Sequence, residues 1–110
     1  MQRSSIAITA ITALVVSAVL AVSALGATKT VTIGDNFFKP KSVSVKKGST
    51  VKWVWKGKSP HNVTVISGPV KFKSPTQKTG TFSKKLSKKG TYKIICTIHG
   101  SVQSLKIKVS

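Results

Sequence analysis

The 110-residue chain is poor in most groups that carry chemistry. It has one cysteine (Cys96), two histidines (His61 and His99), one acid (Asp35) and one methionine (Met1). A single thiol excludes an internal disulfide, an iron–sulfur cluster and a multi-cysteine zinc site. A single carboxylate leaves no acid–base pair of the kind that hydrolytic enzymes use, so the chain is not read as an enzyme. No arginine follows Arg3, so bidentate contacts to phosphate or guanine are missing and nucleic acid is not an expected partner. Beyond residue 27 there is no stretch with helical periodicity, no internal repeat and no low-complexity linker.

What is present begins with Met1-Gln2-Arg3, a short positive start, followed by an uncharged run from Ile6 to Val22. Small residues follow at Val22-Ser23-Ala24 and Leu25-Gly26-Ala27. This layout predicts a secretory signal peptide over residues 1–27, cut after Ala24 or Ala27, with a retained anchor as the alternative. Either way, residues 28–110 are expected as one small domain that is exported to the periplasm, the outside or the outer face of the membrane. The formal net charge is +18, and every basic residue after Arg3 is lysine. Lysine fills the solvent side of alternating strand positions and turns, which accounts for most of these residues. It does not account for the lack of acids, which predicts acidic redox partners or an anionic cell-envelope surface.

Period-2 alternation recurs through the rest of the chain. It predicts strands at Thr30–Ile33, Ser42–Val45, Thr50–Trp55, His61–Ile66, from Thr81, at Thr91–Cys96 and at Leu105–Val109. Lys46-Lys47-Gly48 and Ser87-Lys88-Lys89-Gly90 read as turns, and Ser67–Gly80 as a loop rich in proline, serine, lysine and glycine. Seven to eight short strands with such punctuation predict an all-β fold, a Greek-key β-sandwich. Val51, Trp53 and Trp55 share one strand face, as do Tyr92, Ile94 and Cys96, and Leu105, Ile107 and Val109. Phe38, Trp53 and Tyr92 are expected in the core, not on a stacking platform for nucleic acid.

Cys96 therefore ends a strand in register with its buried face. Cys96-Thr97-Ile98-His99 sets a thiolate and an imidazole on one tight turn, and His61, after Ser59-Pro60, can reach the same point from across the sandwich. Two imidazole nitrogens and one thiolate form a trigonal donor set that suits one copper ion with a weak axial ligand. Zinc accepts such donors too, but a structural zinc site closes a tetrahedron with further Cys or His, and none remains.

These residues and their surroundings resemble the plastocyanin, amicyanin and pseudoazurin group of cupredoxins. The matching segments are Asp35-Asn36-Phe37-Phe38-Lys39-Pro40, Val45-Lys46-Lys47-Gly48-Ser49-Thr50-Val51-Lys52-Trp53, Pro60-His61-Asn62-Val63, Gly90-Thr91-Tyr92 and Cys96-Thr97-Ile98-His99-Gly100. They span nearly all of residues 28–110. The resemblance implies a type 1 copper held by His61, Cys96 and His99, with Asn62 bracing the copper loop near the cysteine. It also implies an axial methionine after the second histidine, and here the sequence departs, since Met1 is its only methionine. In the family that methionine lies four and six residues before inward-facing positions of the last strand. Gln103 stands in that phase relative to Ile107 and Val109, and Val102 does not, so Gln103 is the axial candidate; the alternative is a three-coordinate copper.

The expected function is thus an exported, monomeric blue-copper protein that moves one electron through Cu(I)/Cu(II), leaving by His99 near the surface. Non-redox copper delivery, a module of an envelope metal-uptake complex, and a metal-free lysine-rich binding domain are the alternatives.

Overall fold

The computed structural model describes residues 26–110. The proposed leader lies outside these residues apart from Gly26 and Ala27. The chain runs through eight strands: β1 (Thr28–Ile33), β2 (Phe38–Lys39), β3 (Ser42–Val45), β4 (Ser49–Trp55), β5 (Thr64–Ser67), β6 (Thr81–Leu86), β7 (Gly90–Cys96) and β8 (Gly100–Val109). They form two four-stranded sheets in the orders β2-β1-β4-β6 and β3-β8-β7-β5. Two neighbouring pairs are parallel, β1 with β4 and β3 with β8, so each sheet is mixed. The all-β sandwich expected from the alternation is the observed fold.

Burial follows the period-2 pattern closely. In β4, Ser49, Val51, Trp53 and Trp55 are buried and the residues between them only partly so. In β8, Gln103, Leu105, Ile107 and Val109 face inward while Ser104, Lys106 and Lys108 face water. Trp53, Tyr92 and Phe38 are among the largest fully buried side chains. Gly48 closes the β3–β4 turn with φ +90°, a conformation that side-chain-bearing residues rarely adopt. Its N–H donates to the Leu86 carbonyl at 2.7 Å.

The structure departs from the sequence reading in one expectation and adds two features to it. His61 does not begin a strand. It sits in an isolated bridge to Gln77, and strand geometry starts only at Thr64, because the backbones of His61 and Val63 bond to Gln77 and Ser74 of the long loop and not to β7. The two-residue β2 was not foreseen, since two residues carry no periodicity. The loop between β5 and β6 is also more than a connection. Phe72 packs against Trp53 at 6.1 Å and Tyr92 at 6.5 Å between ring centroids, and Ser74 is buried.

Lysine lies where the alternation put it. Lys93 in β7 and Lys106 in β8 are direct cross-strand partners on the outer face. Like charges so placed disfavour pairing, so the lysine excess has no origin in sheet stability.

Candidate metal centre

Each site residue is delivered by a different local device. Cys96 is the last residue of β7 and is fully buried as part of the core cluster. The register of β7 on β8 shifts after Ile95, so Cys96 pairs with Gly100 and Thr97-Ile98-His99 form the turn between them. His61 is tied through its backbone: its N–H donates to the Gln77 carbonyl and its carbonyl accepts from Gln77 N–H, both at 3.0 Å. Its carbonyl also accepts from Trp55 Nε1 at 3.0 Å. The aromatic ring that fills the core thus also fixes the histidine.

The three side chains converge. One ligand atom from each of His61, Cys96 and His99 lies within 4.8 Å of the others. Cys96 Sγ is 3.9 Å from His61 Nδ1 and 3.7 Å from His99 Nδ1. A sulfur and a nitrogen sharing one ion at about 2.3 and 2.0 Å with trigonal angles would stand about 3.7 Å apart. The observed spacing therefore fits two imidazoles and a thiolate around one metal. His61 and Cys96 are inaccessible to solvent, whereas His99 is partly exposed. Two nitrogens and one sulfur, with no further thiol or imidazole in the chain, are the donor set of copper and not of a structural zinc.

Gln103 is fully buried and reaches the same point. Its Nε2 donates to the Gly34 carbonyl at 2.8 Å and to the Phe37 carbonyl at 3.0 Å. Two carbonyl acceptors require the amide nitrogen on that side, which turns Oε1 toward the site, 3.1 Å from His99 Nδ1. Val102, the residue out of phase, is 74% exposed.

Asn62 joins the two halves of the centre. Its Oδ1 accepts from the Thr97 backbone N–H at 3.1 Å and from Thr64 Oγ1 at 2.8 Å. Its Nδ2 donates to Thr97 Oγ1 at 2.7 Å and Thr76 Oγ1 at 3.2 Å. The residue after His61 thereby holds the residue after Cys96.

Sequence reasoning missed Asp35. Its Oδ1 accepts from the backbone N–H groups of Lys58 and Ser59 at 2.8 and 2.9 Å and lies 3.1 Å from His61 Nε2. The Ser59 N–H above all, then the His61 imidazole and the Lys58 N–H, hold its carboxyl down to about 2, well below the usual carboxylate range. The available signal was that the chain's only acid falls in the short segment Gly34-Asp35-Asn36-Phe37 between two strands.

Comparison with known proteins agrees with this geometry. Residues 26–110 match the model of the copper-binding proteins of the plastocyanin/azurin family. No curated protein matches the chain. Among solved structures, a methionine-to-alanine variant of amicyanin in the Cu(I) state superimposes with a TM-score of 0.67 at 29% identity, covering 76% of this chain and 82% of that one. A purple cupredoxin from Nitrosopumilus maritimus gives 0.66 at 25% identity, covering 74% and 99%. A copper-containing nitrite reductase from Thermus scotoductus gives 0.66 at 27% identity; the match covers 76% of this chain but only 22% of the reductase.

Proposed function

Because the chain belongs to the plastocyanin/azurin family of copper-binding proteins, we propose that it is an exported one-electron carrier whose copper is held by His61, Cys96 and His99. The observation that carries this is the convergence of one thiolate and two imidazole nitrogens within 4.8 Å on a rigid sandwich. When bound, copper supplies a one-electron Cu(I)/Cu(II) couple.

The protein's own residues do the rest. Buried Cys96 and His61 keep water from their side of the site. The Asn62 bonds and the Gln77 bridge hold the ligands in place, so little rearrangement accompanies a change in charge. His99 is the partly exposed member of the trio and gives the electron its way out. Ile98, next to His99 in sequence, and Val102, three residues on, are exposed and would offer a partner apolar surface. No described helix is long and apolar enough to cross a membrane. Catalysis of the nitrite reductase kind is not proposed, since the chain spans about a fifth of that enzyme.

The redox partner is proposed to be acidic. Among the described residues the only carboxylate side chain, Asp35, faces His61, so the lysines are not neutralised within the fold. Electron exchange should slow steeply with ionic strength, because the screening length falls from about 10 Å at 0.1 M salt to about 3 Å at 1 M. A rate that ignores salt would rule out such a partner.

Gln103 is proposed as the axial ligand through Oε1. An amide oxygen favours the oxidised ion more than a thioether does, so Gln103→Met should raise the reduction potential. A tenfold change in relative affinity for the two oxidation states corresponds to about 59 mV. Voltammetry of the copper-loaded wild type and variant tests both proposals: a reversible one-electron wave is expected in each, at different potentials. Absence of any wave in the wild type would contradict the carrier function, and equal potentials would remove Gln103 from the ligand set.

A further inference from the structure

Asp35 is the only acid in a chain of net charge +18, and the fold puts it against the outer nitrogen of a buried metal-ligand candidate. The contact is built from two sides. The Lys58 and Ser59 backbone N–H groups both point at Oδ1, which pins the carboxylate instead of leaving it to swing among nearby lysines. Gly57 provides the room: a Cβ there would collide with Asp35 Oδ1 and come to 3.0 Å from the Asp35 backbone nitrogen. His61 itself is inaccessible to solvent, so no water takes the place of the carboxylate at Nε2.

An ionised carboxylate only accepts hydrogen bonds. His61 must therefore donate from Nε2, which leaves the Nδ1 lone pair facing Cys96 Sγ at 3.9 Å. We propose that Asp35 is a positioning residue that fixes the metal-binding tautomer of His61 and, through its charge, biases the centre toward the oxidised ion. Carboxylate-backed histidines recur at metal sites because the partner orients the ring and raises its basicity. His99 receives no such support, since the chain holds no second acid. The two imidazoles are therefore unequal: one is buried and charge-backed, the other is partly exposed and faces the Gln103 oxygen.

The effect of the charge rests on the copper function proposed above, while the tautomer does not. Two variants of the full chain separate them. Asp35→Asn keeps an acceptor oxygen of the same shape and removes the charge; Asp35→Ala removes both. In the metal-free protein, nitrogen-15 NMR of the histidine rings should show a single Nε2–H tautomer for His61 in the wild type and in Asp35→Asn. In Asp35→Ala the two tautomers should mix. With copper bound, Asp35→Asn should lower the ratio of Cu(II) to Cu(I) affinity by about three- to tenfold, the upper figure being a rise of about 59 mV. The range is modest because Asp35 is 44% exposed and partly screened by solvent. In Asp35→Ala, Cu(II) affinity should fall by about tenfold or more. An Nδ1–H tautomer in the wild type, or a potential unmoved in Asp35→Asn, would overturn the proposal. A wild type with no redox couple would defeat the carrier function, and the NMR result would still decide whether Asp35 sets the tautomer.

Discussion

Replacing Cys96 with serine should leave a folded protein that has lost its copper. Serine is nearly isosteric with cysteine, and the Cys96 side chain is fully buried, so packing around residue 96 changes little. The chemistry changes completely. A thiol gives up its proton to a metal near neutral pH and binds as a soft anion; a hydroxyl stays protonated and binds weakly. Copper affinity should drop by more than about 100-fold, beyond what loss of a supporting group around a metal ligand costs. The strong visible absorption of a thiolate–copper bond should vanish with it. Denaturant unfolding of the metal-free variant should stay within about 2 kcal/mol of wild type, as befits a near-isosteric exchange. A variant that kept both copper and colour would show that Cys96 is a core residue and not a ligand. The same variant separates the metal-free binding domain, which would tolerate serine, from the copper protein, which would not.

The largest loss of stability outside the hydrophobic core is expected from Asn62→Ala. Asn62 is 1% exposed and makes four hydrogen bonds, to the Thr97 backbone and the hydroxyls of Thr97, Thr64 and Thr76. Each such bond contributes about 1 kcal/mol net, and a buried donor left without a partner costs more than its bond was worth. A loss of about 3 kcal/mol is expected for the metal-free protein, a large part of the usual stability of a small domain. Because Thr97 follows Cys96 directly, the loop that presents the thiolate should loosen as well, weakening copper binding by about 10- to 100-fold. Chemical denaturation without metal measures the first effect and competition with a copper chelator the second. Reduced stability with unchanged copper affinity would limit Asn62 to folding.

Much of this molecule was legible in the sequence because its inward and outward residues alternate so regularly. The pattern of β4 gave its buried face residue by residue. The phase of β8 separated buried Gln103 from exposed Val102 although the two are neighbours. Cys96 could be set at a strand end for the same reason. The illegible parts depend on contacts that have no period. His61 is placed by a bridge to Gln77, sixteen residues away across an irregular loop. Phe72 packs against the core from that loop, where the alternation of Val70-Lys71-Phe72-Lys73 is short, lies between Pro69 and Pro75 and forms no strand. Asp35 meets His61 through a turn-to-turn contact spanning 26 residues, made possible by Gly57, and a single acid offers no pattern at all. Side-chain periodicity reports which way a strand faces. It is silent about which turns meet at the end of a sandwich, and the chemistry is gathered there.

The most direct test of the account is a titration of the full chain with cupric salt, followed by visible absorption. An intense band that saturates at one copper per chain is expected, because a buried thiolate and two imidazoles share one ion. A protein that stays colourless with copper in excess would contradict that shared site.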